Sequence, residues 1–344
     1  MTKIIEIKDK VFRFCAEYDS YLKYLYKFLA AFVLFNVING SIGFMEKIST
    51  MPIALLLALI CCLLPQSVTI LAAGLLVLLN LYALSLEVAL VAFLIFVLLF
   101  LLYFRFAPQD GMLFILTPIF FKLGIPYILP IGTGLLRKAY SVTAVICGTV
   151  AFYFVDGIHQ NITTLGDAVA GGDGGTNVKI TVTIGQLLGN KEMFLAVGIF
   201  ALSAIMVSII RKLSVDNAWK IAIISGVLVQ ISGLFAGYLL FNMSDKTAGM
   251  IIGNVIAMVL GFVIEFLFMD LDYERTERVQ FEDDDYYYFV KAVPKKMVTS
   301  TEKTVKHFGP SFMEKRNERK KEEIKADSKK LIAEELDIDE DLLD

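Results

Sequence analysis

One lysine inside an otherwise apolar stretch is the residue best placed to do chemistry within a membrane. Lys122 lies in segment 111–136, which prolines and glycines interrupt. An ammonium group inside a bilayer is costly unless it meets water or a carboxylate, and such residues often line transport paths. We therefore predict a transport path beside Lys122, Pro118, Gly124 and Pro126. The alternative is that Lys122 extends to the membrane surface from a single kinked span.

A carboxylate in the last predicted span is the second candidate for such a path. Glu265 lies about one helical turn before the inner end of that span. It could also extend to water or pair with a base such as Arg211, and its role would then be structural.

The residue patterns that most enzymes need are missing from the sequence. Its two histidines, His159 and His307, have no cysteine or carboxylate beside them at metal-ligand spacing. No glycine-rich loop ends in the Lys and Ser/Thr pair that binds phosphate. We therefore expect no catalytic activity, no metal, no cofactor and no nucleic-acid partner.

The elements that would position the candidate residues are membrane-spanning helices. Hydrophobic residues make up 57% of the 344 residues, and ionisable residues are sparse over 28–269 but dense after 270. A bilayer core of about 30 Å needs about 20 apolar helical residues for each crossing. The sequence therefore predicts an all-α transmembrane bundle embedded in a lipid bilayer, with spans at 28–44, 51–65, 67–85, 86–104, 139–158, 193–210, 219–241 and 249–269.

Segment 111–136 does not fit the pattern of the spans. Arg105 precedes it and Arg137 and Lys138 follow it, and basic residues stay on the cytoplasmic side of a membrane. Each half of the segment would be a helix of about 16 to 18 Å, too short to cross. We predict a re-entrant hairpin that enters from the cytoplasm and returns to it, with Lys122 near the tip.

The distribution of basic residues also predicts the orientation of the chain. Lys and Arg concentrate in 1–27, near Arg211 and in 270–344, so both termini should lie in the cytoplasm and the protein in the cell membrane. Residues 1–27 have an apolar stripe at helical spacing and excess lysine, which favours an amphipathic interfacial helix over a soluble cap. The predicted domains are this helix, the transmembrane domain 28–269 and the tail 270–344.

Two further patterns predict contacts between helices. Gly249 and Gly253 form a G-x-x-x-G pair, which favours close packing within the bundle over a dimer face. Asn80, Gln230 and Asn254 are uncharged polar residues inside spans, and we expect their side chains to join helices by hydrogen bonds.

The longest predicted outer loop, 159–192, contains a segment with strict alternation. From Val178 to Ile184, apolar side chains alternate with Lys and Thr. A period of two is typical of a half-buried strand, so the sequence predicts a strand that lies across the outer ends of the helices.

The tail begins with a predicted β-hairpin over 278–295, followed by a helical stretch from Ser311 and a disordered acidic end. Its turn and second strand could bind a basic cytoplasmic protein, because aromatic side chains there adjoin acidic charge. The alternative is a solvated turn that packs on the membrane domain. The candidate partner-binding residues are Asp283, Asp284, Asp285, Tyr286 and Tyr288.

Two stretches of the sequence are distinctive: LYFRFAPQDGMLFILTPIFFKLGIPYILPIGTGLL at 102–136 and VQFEDDDYYYFVKAVPKK at 279–296. They resemble an uncharacterised multispanning membrane protein family of Gram-positive bacteria, sometimes labelled ABC-transporter permease. The resemblance implies a bacterial multi-pass protein with a permease-like role, and it implies no catalytic or binding residues.

Three functions follow from these patterns, in order of support. The first is an integral membrane transporter or permease-like component, because a broken intramembrane segment and a few buried polar groups suit a substrate path. The second is a membrane scaffold that recruits cytoplasmic or envelope-assembly partners through its C-terminal tail. A lipid-modifying enzyme is third, since no nucleophile or metal cluster supports it.

Overall fold

The computed structural model describes residues 2–45, 47–162, 175–213, 215–269, 277–282, 286–292 and 320–321. Its α-helices are α1 (Thr2–Glu17), α2 (Asp19–Ile42), α3 (Met51–Leu63), α4 (Gln66–Leu84), α5 (Leu86–Phe106), α6 (Gly111–Lys122), α7 (Ile128–Leu136), α8 (Val142–Gln160), α9 (Gly175–Leu188), α10 (Lys191–Ile210), α11 (Ala218–Leu240) and α12 (Thr247–Phe268). Two strands follow, β1 (Glu277–Glu282) and β2 (Tyr287–Ala292).

Seven helical stretches of the described residues are long and apolar enough to cross a membrane. Large apolar side chains are exposed along them, as expected where lipid covers a surface. The chain is therefore an all-α multi-pass membrane protein, as the sequence predicts. The stretches are Asp19–Ile42, Gln66–Leu84, Leu86–Phe106, Ala139–Gln160, Lys179–Ile210, Ala218–Leu240 and Ser244–Phe268.

The second predicted span, 51–65, is shorter than a full crossing. Helix α3 has 13 residues, about 20 Å, against a bilayer core of about 30 Å. It still returns the chain toward the start of α2, because the Lys27 ammonium donates to the Leu64 carbonyl at 3.4 Å. The loop before α3 contacts the last turns of α4, where the Asn80 side-chain oxygen accepts a hydrogen bond from the Met45 N–H at 3.1 Å. Asn80 thus joins two elements, as predicted.

Segment 111–136 forms two half-helices, α6 and α7, joined by a turn at 123–127. They have 12 and 9 residues, or about 18 and 14 Å, so neither crosses a bilayer. The Asp110 carboxylate before α6 pairs with the Arg137 guanidinium after α7, with 3.4 Å between Oδ1 and Nε. The chain therefore enters and leaves the segment at one face, as a re-entrant hairpin does and a single kinked span does not. We refer to this face as the inner face, following the predicted orientation, and to the opposite one as the outer face.

Arg211, at the end of α10, holds the same end of the hairpin. Its guanidinium donates to the carbonyls of Leu135 and Arg137, the second at 2.8 Å. The last carbonyls of a helix lack helical donors and carry partial negative charge, so a cation there is stabilising. Arg211 therefore bonds the hairpin and not Glu265, which corrects one of the two interpretations of that carboxylate.

Glu265 lies where the N-terminal helix meets the inner end of α12. The Lys8 ammonium donates to the carbonyl of Phe266 at 2.7 Å and lies 5.3 Å from the centre of that ring. Glu265 is the adjacent residue and is buried. The start of the chain and the end of the last span thus lie at one face, while which side of the membrane this face meets stays a prediction.

The predicted amphipathic segment 1–27 is divided between two helices. Helix α1 ends at Glu17 and α2 begins at Asp19, so the first span starts earlier than the predicted position 28. Val11 and Phe14 on α1 are exposed, which suits a helix that buries its apolar side chains at a membrane surface.

The re-entrant hairpin lies between two groups of helices. Helix α6 packs with α2, α4, α5 and α8 around a core that includes Phe35, Phe96, Tyr103, Phe114 and Phe154. Helix α7 packs with α10, α11 and α12 around Ile131, Leu135, Val207, Ile223 and Ala257. Each half-helix therefore belongs to a different group, and the turn between them connects the two cores.

The strand predicted for 178–184 is wrong, because this segment lies in helix α9. Lys179 and Thr183, four residues apart, are buried on one face, and the Lys179 ammonium pairs with Glu87 at 3.6 Å. A lone strand has unpaired backbone groups, whereas a helix satisfies its own. The predicted position is confirmed: α9 contacts α5 at Glu87 and α8 at Gly157, whose backbone touches Gln186.

The β-hairpin predicted at the start of the tail is confirmed. Strands β1 and β2 are antiparallel, with Phe281 opposite Tyr288. Asp283, Asp284 and Asp285 lie outside the described residues, as does the helical and acidic part of the tail apart from 320–321.

We predict that both ends of the re-entrant hairpin react from the same side of the membrane. Cysteines would be introduced at Gln109 and Lys138, both exposed, in a chain with Cys15→Ser and Cys62→Ser. A membrane-impermeant thiol reagent added to one side of sealed vesicles should label both positions or neither. Lys47→Cys, at the opposite face, is the control that should show the reverse pattern, and labelling of Gln109→Cys and Lys138→Cys from opposite sides would contradict the hairpin.

Candidate functional site

One side of the tip of the re-entrant hairpin packs against a glycine of α12, while Leu123 and Gly124 are exposed. Gly124 has φ +76°, a left-handed backbone conformation that favours glycine. A Cβ added at Gly253 would lie 2.4 Å from the Tyr127 ring and 3.2 Å from the Gly124 carbonyl. The predicted internal packing of the G-x-x-x-G pair is therefore confirmed for Gly253. A Cβ at Gly249 would meet nothing within 4 Å.

Pro118 shapes the contact between α6 and α8. Proline has no N–H, so the Phe114 carbonyl, four residues earlier, has no helical donor. Gly148 of α8 lies against this carbonyl, and a Cβ there would be 3.0 Å from the oxygen. Pro118 therefore has a packing role within α6, one turn before the tip.

A layer of buried polar groups surrounds the first residues of α7. The Gln230 side-chain nitrogen donates to the Tyr127 carbonyl at 3.2 Å and to the Ser203 hydroxyl at 2.9 Å. The Ser203 hydroxyl in turn donates to the Gly226 carbonyl at 3.2 Å. Gln230 and Ser203 are both fully buried. This hydrogen-bond network joins α7, α10 and α11 at the level of the hairpin tip.

The network determines the orientation of the Gln230 amide. A backbone carbonyl can only accept, so the group that faces Tyr127 must be the NH₂. Both amide hydrogens of Gln230 are thereby used, and its side-chain oxygen has no donor among the described residues. A buried acceptor without a donor costs roughly 1 to 3 kcal/mol.

Asn254 on α12 carries a second acceptor of the same kind at the same level. Its side-chain NH₂ donates to the Met250 carbonyl at 2.9 Å, and its oxygen has no donor among the described residues. Ile223 of α11 packs on Gly261 of α12, and both Gln230 and Asn254 lie two helical turns nearer the outer face. Asn254 and Gln230 thus lie at a similar level of their helices, although Asn254 does not form the predicted hydrogen bond to another helix among the described residues.

Polar groups continue from this layer toward the outer face. The Tyr127 hydroxyl interacts with Tyr238 of α11, and the carboxylate of Glu192 lies near both rings. Glu192, in the first turn of α10, pairs with Lys246 just before α12. The hairpin tip therefore has a polar connection to the outer ends of α10, α11 and α12.

The opposite direction is closed by apolar packing. Ile131 and Leu135 of α7 and Val207 of α10 are fully buried. A Cβ added at Gly134 or Gly226 would come within 2.6 Å of the Val207 side chain, so the backbones of α7 and α11 approach α10 closely here. A solute at the polar layer could pass inward only if α7 separated from Val207.

The structure places the predicted path residues in three positions. Gly124 and Pro126 form the tip, and Lys122 ends α6 on the side of the tip that faces α2 and α3. Pro118 lies one turn earlier in α6. Glu265 is twelve residues beyond Gly253, about 18 Å along α12 toward the inner face, so it does not reach the tip.

Two of the predicted partner-binding residues are described. Tyr286 and Tyr288 are exposed, with ring centres 6.3 Å apart. Tyr287 is exposed as well, and because neighbouring strand residues point to opposite faces, the β-hairpin offers aromatic side chains on both of its faces.

Sequence reasoning missed the polar layer as a site. Gln230 and Asn254 were predicted only to join helices, and Ser203 is one of several serines in apolar helices. The sequence did contain a signal. Gln230 and Asn254 lie at similar distances from the loop between α11 and α12, so an antiparallel pair of helices brings them to a similar level. Comparison with protein-family models, with curated protein sequences and with solved structures finds no match. The function must therefore be inferred from the geometry of the chain itself.

We predict that a side chain at Gly253 displaces the hairpin tip. Gly253→Leu should lower the free energy of unfolding by about 1 to 3 kcal/mol, because a Cβ there overlaps the Tyr127 ring. Gly249→Leu, one turn earlier on the same helix, is the matched control and should change stability by less than about 0.5 kcal/mol. Thermal unfolding of the two purified variants in detergent measures the difference, and equal melting temperatures would contradict the contact.

Proposed function

We propose that the protein is a transporter in which a small polar solute binds at the layer of Ser203, Gln230 and Asn254. One observation carries the proposal: the buried side-chain oxygens of Gln230 and Asn254 have no donor among the described residues, and Gln230 bonds the start of a half-helix that is too short to cross the membrane. Half-helices of this kind leave backbone groups that lipid cannot satisfy, and transporters use such groups to bind substrates.

The chemistry of the layer suggests what the solute must offer. The side-chain oxygens of Gln230 and Asn254 accept hydrogen bonds, so the solute must offer hydrogen-bond donors. The start of α7 is the positive end of its helix dipole, which favours an acceptor or a carboxylate, although Pro130 has no N–H and the Leu129 N–H donates to the Pro126 carbonyl at 3.1 Å. The layer itself has no charged side chain, so the solute that fits best has both donor and acceptor groups and no net charge.

The surroundings of the layer support movement of solute between the two faces. Tyr127, Tyr238 and Glu192 extend the polar surface toward the outer face, while the contact of Gly134 with Val207 closes the inner side. Separation of α7 from α10 would break the apolar contact at this glycine and the hydrogen bonds from Arg211 to the carbonyls of Leu135 and Arg137. The resemblance to a family labelled as permeases agrees with the same proposal.

A scaffold is the alternative function, and the exposed tyrosines of the β-hairpin favour it. Tyr286 and Tyr287 are more than half exposed, at 67% and 63%, and aromatic residues are frequent anchors at protein interfaces. A transporter must let water and solute reach the polar layer, whereas a scaffold need not. Access of water-soluble reagents to this layer therefore distinguishes the two hypotheses.

We predict that the polar layer is reached by water-soluble reagents from both faces. In a chain with Cys15→Ser and Cys62→Ser, Ser203→Cys should react with a small charged methanethiosulfonate added to either side of proteoliposomes. Thr149→Cys is the matched control, because Thr149 is equally buried and its hydroxyl bonds only to Val145 of its own helix. If Ser203→Cys were as unreactive as Thr149→Cys from both sides, the transport proposal would fail and the scaffold would be favoured.

We predict that removal of the Gln230 amide abolishes most of the solute flux. Proteoliposomes would be tested with a panel of labelled amino acids, sugars and inorganic ions, and Gln230→Leu should lower the uptake of any transported compound by about tenfold or more. Ser232→Ala is the control on the same helix, since its exposed hydroxyl bonds only to carbonyls of α11. Equal loss in both variants, or no loss in Gln230→Leu, would argue against binding at the layer.

A further inference from the structure

The side of the hairpin tip that faces away from the polar layer borders an open groove. The groove runs between α2, the start of α3 and the end of α6, and encloses about 340 Å³, more than ten times the roughly 30 Å³ that a water molecule occupies in the liquid. Its rim is exposed at Val33, Met51 and Leu123. The lining residues are Phe32, Val33, Asn36, Val37, Gly40, Met51 and Lys122.

The groove lies at the depth of the hydrocarbon core. Lys27 of α2 is at the level of the inner turn between α3 and α4, because its ammonium reaches the Leu64 carbonyl. Phe32 and Gly40 are 5 and 13 residues further along α2, about 8 and 20 Å above Lys27. Lys122 therefore presents its ammonium well inside the membrane, on a surface that opens sideways to lipid.

Nothing in the described protein neutralises this charge. Lys122 forms no ion pair and no hydrogen bond with a described residue, and the groove lining includes no carboxylate. Asn36 is the other polar residue of the lining, and its NH₂ donates to the Phe32 carbonyl of its own helix at 2.8 Å. A cation in this position needs an anion or water, because an isolated charge in a bilayer core is unfavourable.

A second positive element faces the same groove. Met51 is the first residue of α3 and marks the positive end of the helix dipole, although Pro52 has no N–H and the N–H groups of Ile53 and Ala54 donate to the Thr50 carbonyl. The start of this short helix lies near the outer end of α4, because Met45 in the preceding loop donates to Asn80 of α4. Lys122 and the start of α3 thus give an apolar, lipid-facing groove a positive electrostatic potential.

We propose that this groove binds an anionic phospholipid of the surrounding bilayer, with the phosphate at Lys122 and an acyl chain along the apolar face of α2. The apolar walls and the sideways opening favour a lipid over a soluble anion, which would have to leave water to reach the site. The positive charge favours an anionic head group over a zwitterionic one. This lipid site is separate from the polar layer, so it goes beyond the proposed transport of a polar solute.

The test uses a fluorescent reporter inside the groove. The chain has one tryptophan, Trp219, so Trp219→Phe with Phe32→Trp leaves a single emitter at the groove wall. The protein would be placed in phosphatidylcholine nanodiscs that contain a small, equal fraction of either brominated phosphatidylglycerol or brominated phosphatidylcholine. The brominated anionic lipid should quench about fivefold more effectively, which is the factor that one basic residue adds for an anionic lipid.

Substitutions at Lys122 assign the preference to this residue. Lys122→Met should make the two brominated lipids quench equally, and Lys122→Arg should keep the preference. A reporter at Leu228→Trp, which is exposed on α11, should show no preference that depends on Lys122. Val33→Trp serves as a second groove reporter if Phe32→Trp does not fold.

Two results would overturn the lipid site. One is equal quenching by the two lipids with Lys122 intact, as expected if water neutralises the ammonium. The other is a preference for the anionic lipid that survives in Lys122→Met. Neither result bears on the polar layer, because Ser203→Cys and Gln230→Leu test that site independently.

Discussion

Backbone polar groups cannot face hydrocarbon without a partner, and this constraint governs how segment 111–136 is held. A helix that ends inside a bilayer leaves N–H and C=O groups that only protein or water can satisfy. The start of α7 is accordingly held by protein: Gly253 receives the Tyr127 ring, and Gln230 donates to the Tyr127 carbonyl. At the other end, Arg211 donates to the last carbonyls of α7. The surrounding helices are needed because the hairpin is incomplete without them.

The bundle has two main cores, which meet at the hairpin and where Val145 of α8 packs with Phe200 of α10. Helix α6 belongs to the core of α2, α4, α5 and α8, while α7 belongs to that of α10, α11 and α12. Glycines at the contacts let the half-helices approach their neighbours closely, as Gly148 does for α6 and Gly134 for α7. A rearrangement of one group of helices relative to the other would therefore change the contacts of the hairpin as well as those between α8 and α10.

The two sides of the tip offer different chemistry. On the α7 side, uncharged amides and a serine form a small enclosed layer with unused acceptors, which suits a polar solute. On the α6 side, a lysine and the start of α3 face an apolar groove that lipid can enter, which suits an anionic head group. The five residues of the turn between α6 and α7 separate these two environments, so a lipid in the groove would contact the same element that a solute would have to displace.

Much of the architecture could be predicted from the sequence. Apolar length identified the spans, although α3 is shorter and α2 begins earlier than predicted, because composition alone does not show where helical backbone starts or ends. The breaks at Pro118, Gly124 and Pro126, together with basic residues at both ends, were sufficient for the re-entrant hairpin. The turn residues and the alternation around Tyr288 were sufficient for the β-hairpin. These signals are local, and each depends on residues that are close in the chain.

The contacts between residues that are far apart in the chain were decided by the tertiary structure. Helix α9 has the alternation of a strand, but Lys179 faces inward because Glu87, 92 residues earlier, is there to pair with it. Arg211, one base that could have paired with Glu265, instead bonds carbonyls more than 70 residues before it. Gln230, Ser203 and Asn254 became a layer only through the relative level of three helices. Sequence by itself determined which segments must be buried and where the backbone must break, since these follow from each residue's own chemistry. The partners of the buried polar groups were decided by packing, because a hydrogen bond or an ion pair requires two groups to meet and neither residue alone contains that information.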